Sequence, residues 1–158
     1  MGVFTHEMEA TSPIPPEKAF KVFVLDYDTL FPKVVPHAIK SVEVLQGDGG
    51  AGTIKKITFA EGMGIKYVKH QVHALDKENR FYSFSVIEGD VLSDKLEKIS
   101  DETRFDPAPN GGAIVKVTTK FHTIGDIELK EEEMKELVQN RGRVFQAVQN
   151  YIVANPDA

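Results

Sequence analysis

Cysteine is absent from the 158 residues, which removes disulfides, thiolate metal ligation and a thiol nucleophile together. Stability must therefore come from packing alone. No apolar stretch approaches the roughly 20 residues that cross a bilayer, so a membrane-spanning protein is not expected. The opening Met1-Gly2-Val3-Phe4 reaches Glu7 and Glu9 at once, without the basic segment and apolar run of a signal peptide. His6 stands where a myristoylation pattern wants Ser or Thr. A cytoplasmic location is the expectation. An excess of positive charge is also missing: the formal net charge is −5. Phosphate backbones are held by basic patches that release counterions, so no nucleic acid is expected as a partner.

What is present is ordinary for a soluble fold, with 41% hydrophobic and 27% charged residues. The length and the even composition predict a single domain over residues 1–158. Val3 to Thr11 alternates Phe4, His6, Met8 and Ala10 against Val3, Thr5, Glu7 and Glu9, the period of a half-buried strand. Pro13, Pro15 and Pro16 end that strand, and the Pro15-Pro16 pair suits a first helical turn, where a missing amide costs nothing. A short helix carrying Ala19, Phe20, Phe23 and Val24 follows, then a second that begins near Asp26 or Asp28 and stops before Pro36.

From Ile39 to Phe121, turn signals fall at Gly47–Gly52, Glu61–Gly64, Asp76–Asn79, Glu88–Asp90 and Pro107–Gly112. They separate six strands by connections too short for crossover helices, so an antiparallel meander is predicted. Leu129 to Val153 contains no proline, and it sets Met134, Leu137, Val138, Arg141, Val144, Phe145, Val148 and Ile152 on one stripe. A helix of that length spans about 37 Å at ~1.5 Å per residue, enough to cross a sheet. The fold class is therefore α+β: a curved antiparallel sheet of seven strands gripping a long C-terminal helix, with two short helices after strand one.

Most chemical motifs dissolve on inspection. Gly47-Asp48-Gly49-Gly50-Ala51-Gly52 is followed by Thr53 and a strand pattern, not by the lysine and helix of a nucleotide-binding P-loop, so it reads as a hairpin loop. His70 and His73 are three apart in a strand and point to opposite faces, which prevents them from sharing a metal; His6, His37 and His122 are isolated. No metal and no cofactor are expected. Glu131-Glu132-Glu133 fits the first turn of the long helix, whose positive dipole end favours acids. Tyr67, Tyr82 and Phe84, aromatic residues within strand patterns, either fill a core or line a hollow.

The segments MGVF, KVFVLDYDTLFPKVVPHAIKSVE, GDGGAGTIKKITF, KYVKH, FSVIEGD, LEKI, NGGAIVKV, FHTIGD and YIVANP closely resemble the plant pathogenesis-related proteins of class ten, the family of the major birch-pollen allergen. The likeness covers nearly all of residues 1–156, and a more distant one reaches the abscisic-acid receptors. It implies an internal cavity, a role in plant defence, and as partner a small apolar or amphipathic molecule such as a phytohormone, flavonoid, steroid or fatty acid, bound by a monomer acting as carrier, reservoir or receptor. Carried over by position, Phe23, Asp28, Phe31, Ile65, Tyr67, Tyr82, Phe84, Val86, Val138, Arg141, Val144 and Phe145 would face that cavity. Lys55, Tyr82, Phe84 and Asp101 fall where the birch-type pattern has brassinosteroid contacts, with Phe84 replacing a tyrosine and Asp101 an asparagine. The ribonuclease activity ascribed to the family maps to Glu97, Gln149 and Tyr151. A glutamine cannot act as general base, so this alternative, like that of a condensing enzyme, is disfavoured.

Arg141 places a cation on the apolar stripe of the long helix. An unpaired buried guanidinium is costly, so it must reach solvent, pair with a protein acid, or meet an anion. The fork geometry of arginine and the room left by Gly142 favour the last, with a carboxylate or acidic phenol of the ligand as the expected counterpart.

Overall fold

The computed structural model describes residues 2–157. Ten residues, Val3–Ser12, form β1. Two short helices follow, α1 (Pro16–Phe20) and α2 (Tyr27–Val34), joined by a wider π-type turn over Lys21–Leu25. Pro16 occupies the first helical position after Pro15, so its missing amide leaves no bond unmade. The wide turn, closed by the Asp26 amide donating to the Lys21 carbonyl at 2.8 Å, allows the consecutive Val22, Phe23 and Val24 all to be buried. Asp26 precedes α2, and the helix ends at Val34, two residues short of Pro36, with Pro32 accommodated inside it.

The remaining strands are β2 (Ile39–Gln46), β3 (Ile54–Phe59), β4 (Tyr67–Asp76), β5 (Phe81–Gly89), β6 (Leu96–Pro107) and β7 (Ala113–Thr123). All seven strands lie in one antiparallel sheet of order β1-β7-β6-β5-β4-β3-β2, a meander closed at one side by the first strand pairing with the last. Register shifts interrupt the β2–β3, β4–β5 and β6–β7 ladders. Such extra residues bend a strand and increase its twist, and here they curl the sheet around the final helix.

That helix, α3 (Glu131–Ala154), carries Glu131, Glu132 and Glu133 in its first turn. Lys95, just before β6, ties it to the sheet through Glu133 at 2.9 Å. The core sits at two levels. Near the C-terminal end of α3, Val148 and Ile152 are sealed. Below the short helices, Phe20, Phe23, Phe31, Phe105 and Phe145 form an aromatic cluster with centroid spacings of 5.3 to 6.4 Å, inside the range of favourable ring pairs.

Candidate functional site

Strand parity decides which side chains enter the space between sheet and α3. Paired residues across a ladder share a face, so Lys55 opposite His70 and Ile57 opposite Val68 put these four on the concave side. The next ladder continues the face with His70 opposite Val86, Val72 opposite Phe84 and Leu75 opposite Tyr82. On β6 and β7 the same side carries Ile99, Asp101, Thr103 and Phe105 against Phe121, Thr119, Val117 and Val115.

The concave interior holds two ion pairs. Lys55, buried on β3, donates to Asp28 of α2 at 2.8 Å. Asp101, only 1% exposed, accepts from Thr103 at 2.9 Å, from Thr119 at 3.1 Å and from both terminal nitrogens of Arg141, Nη2 lying 3.3 Å away. Burial disfavours the Arg141 charge, but the charge and hydrogen bonds of Asp101 outweigh it and hold the guanidinium above its ordinary pKa. Arg141 thus takes a protein acid, in place of the ligand anion expected from its position. The reason is parity: Asp101 faces inward on β6, and the two charges would each be unpaired without the other. The guanidinium also lies 5.5 Å from the centroid of Phe84 and 5.2 Å from that of Phe145.

Three neutral polar groups complete the interior. His70 stacks on Phe84 with centroids 4.3 Å apart and planes 19° apart. Burial, then the Arg141 and Lys55 charges, push its imidazole down to about 3, so the ring is uncharged at neutral pH. Burial is also the main cause raising the phenols of Tyr27 and Tyr82 well above the usual tyrosine range.

Of the residues singled out in the sequence, Asp28, Lys55, Tyr82, Phe84, Val86, Asp101, Val138, Arg141, Val144 and Phe145 converge on this interior. Phe23 and Phe31 belong to the aromatic cluster beside it, and Phe31, at 0% exposure, is packed so tightly that it borders no open space. Two further expectations fail. Tyr67 points to the convex face, because its neighbour Val68 points inward; its hydroxyl donates to Glu88 at 2.7 Å and its ring lies under the Lys56 ammonium. Ile65 sits in the β3–β4 connection, where it lines a separate, open pocket of about 470 Å³ with Lys40, Lys66 and Asp90. Tyr27 and His70 were missed as lining residues, although His70 shares inward parity with Val68 and Val72.

The glycine loop before β3 uses its own amides: Gly49 donates to Thr53 at 2.8 Å, Gly50 to Asp48 at 3.1 Å and Gly52 to the Val72 carbonyl at 2.8 Å. Gly47, at φ +97°, would leave an added Cβ no room against Thr53, 2.6 Å away. On the convex face, His73 contacts Ser85 at 2.7 Å, Ser85 contacts Ser100 at 3.0 Å, and Ser100 contacts His122 at 3.3 Å. This row runs beside a polar pocket of about 250 Å³. Among the described residues no cluster of three acids or histidines could hold a metal, and no helix is long and apolar enough to cross a membrane. Glu97 is exposed on β6, whereas Tyr151 leans on the core.

Comparison with known proteins places this geometry. The profile of the "Pathogenesis-related protein Bet v 1 family" matches residues 1–155. Major allergen Pru ar 1 of Prunus armeniaca is 54% identical over 158 residues, covering 100% of this chain and 99% of that protein. Major strawberry allergen Fra a 1-B of Fragaria ananassa is 54% identical over 156 residues, covering 99% and 98%. The crystal structure of Ara h 8.0201 superposes with a TM-score of 0.88 at 40% identity, covering 98% of this chain and 100% of that one. Norcoclaurine synthase from Thalictrum flavum, at 21% identity and a TM-score of 0.74 over 98% and 88% of the two chains, shares the fold.

Proposed function

Because the chain belongs to the Bet v 1 family of pathogenesis-related proteins, we propose that it binds a small apolar or amphipathic molecule between the sheet and α3, as a defence-related carrier, reservoir or receptor. The observation that carries this reading is the state of the α3 stripe. Met134, Leu137, Val138, Arg141, Val144 and Phe145 face the sheet yet stay only half-buried, whereas Val148 and Ile152 on the same stripe are sealed. A helix packed on a filled core would bury all of them alike. Accessible apolar surface on an inward face, with a few convergent polar groups, is how ligand sites are built.

Aromatic side chains supply the walls and the two ion pairs supply fixed polar points. An environment-sensitive apolar dye should bind the folded protein saturably at micromolar concentration, about −8 kcal/mol. Val138→Trp, which fills the space from the helix side, should abolish that binding while the protein stays folded. Dye that binds only after partial unfolding, or equally well to the Val138→Trp variant, would sink the proposal. The acid-and-tyrosine set ascribed to ribonuclease activity is split between an exposed strand position and the core, which favours binding over turnover.

A further inference from the structure

The charged side chains Asp28, Lys55, Asp101 and Arg141 of the interior are matched with one another. The polar groups left over are all neutral. Among the described residues, the hydroxyls of Tyr27 and Tyr82 and the ring nitrogens of His70 make no hydrogen bond to the protein. At the same time, no side-chain polar atom sealed from solvent lacks a partner. These three groups therefore border open space, and the inward registers of His70 and Tyr82, with the Tyr27 ring packed 4.1 Å from that of Phe31, put that space inside the sheet.

Resting on the ligand-binding reading above, we propose that the interior selects uncharged ligands carrying hydroxyl groups, that it turns carboxylates away, and that His70 is the residue that recognises the hydroxyl. A carboxylate approaching Arg141 meets a guanidinium whose charge Asp101 already balances: bonding to its remaining N–H groups sets two carboxylates side by side, and displacing Asp101 leaves that buried acid with two threonine hydroxyls. Lys55 is held by Asp28 in the same way. An entering anion thus loses its hydration and meets no free cation. A neutral hydroxyl has no such penalty. An uncharged imidazole carries one bare nitrogen lone pair, which accepts from an O–H, and one N–H, which donates. Stacking on Phe84 fixes the plane of the ring, so the direction of that lone pair is set before the ligand arrives. Lys55 directly across the ladder and Arg141 beyond the Phe84 ring oppose a charge on the imidazole, so it keeps the acceptor.

Calorimetry on the full chain near pH 7.5 with 2-naphthol, 2-methoxynaphthalene and 2-naphthoate separates the parts of this inference. These probes share a ring system and differ in one polar group. The naphthol should bind about fivefold tighter than its methyl ether, one neutral hydrogen bond's difference, and at least tenfold tighter than the naphthoate. In His70→Phe the naphthol-to-ether ratio should fall to about one, and in His70→Gln, which retains an acceptor, part of the preference should return. The inference is overturned if the naphthoate binds tightest, or if the naphthol preference survives in His70→Phe. Failure of the ether itself to bind takes down the ligand-binding reading; ether binding without a hydroxyl preference removes only this inference.

Discussion

Replacing Arg141 with methionine removes one half of an ion pair whose other half is 1% exposed. Asp101 would keep the Thr103 and Thr119 hydroxyls and lose both guanidinium bonds. Removing one partner of a fully buried pair costs about 3–5 kcal/mol. The Arg141 side chain retains 35% exposure, so water screens part of the interaction and the expected loss is about 2–3 kcal/mol. That is a sizeable fraction of a total stability of about 5–15 kcal/mol. The double variant Arg141→Met with Asp101→Asn removes the orphaned charge as well, and should return to within about 1 kcal/mol of the parent. The four proteins form a cycle read by urea unfolding, in which the midpoint should move and the slope should not. A single variant as stable as the parent, or a double variant no better than the single, would refute the idea that Asp101 needs Arg141.

Three further outcomes are expected. His70 is held at about 3 in the fold against about 6.5 in the unfolded chain. The unfolded state takes up the proton first, so His70's contribution is intact above about pH 6.5 and is lost progressively as the pH falls toward 3, reaching about 2 kcal/mol at pH 5. Urea titrations at pH 7.5 and 5 should show that pH sensitivity reduced by this amount in His70→Phe; an unchanged difference would mean that the imidazole is not desolvated. In alkaline titration followed in the ultraviolet, the Tyr27 and Tyr82 phenols should ionise only as the protein unfolds, because burial raises both; reversible ionisation of all four tyrosines in the folded state counts against it. Gly142→Ala should raise stability by about 1 kcal/mol in thermal or urea unfolding, since the new methyl meets nothing within 4 Å and alanine is the better helix former; a loss would show that the position is crowded.

The elements with strong periodicity were legible in the sequence. β1, the turns of the meander and α3 follow from alternation, glycine placement and the heptad-like stripe, because each is a local pattern with one physical solution. The bulges were not legible, since an extra residue in a strand leaves no compositional mark, yet they set the curl that makes an interior. Tyr67 could have been placed correctly. Its same-parity neighbours are Lys69 and Gln71, whereas the opposite parity carries Val68, His70 and Val72, so the wet face was written in the strand. Arg141 announced an unmatched cation but not its partner, 40 residues away along the chain. The hint lay in β6, where Asp101 alternates with Ile99, Thr103 and Phe105, an acid in an inward register.

The row His73, Ser85, Ser100, His122 spans strands β4, β5, β6 and β7 on the outer surface. Each hydroxyl has a single proton, so each serine can donate to only one of its two neighbours in the row. In one arrangement His122 donates from Nε2 to Ser100, Ser100 donates to Ser85 and Ser85 to a bare Nε2 on His73; the reverse order swaps both tautomers. Whichever serine donates in the Ser85–Ser100 bond must accept from the histidine beside it, so that histidine carries its proton on Nε2. Burial and Lys98 hold His122 below its ordinary value, which keeps that ring free to serve as either giver or receiver. The direction of the one bond between the serines thus decides which of two rings, on strands β4 and β7, must hold its proton on Nε2, without a shift of backbone.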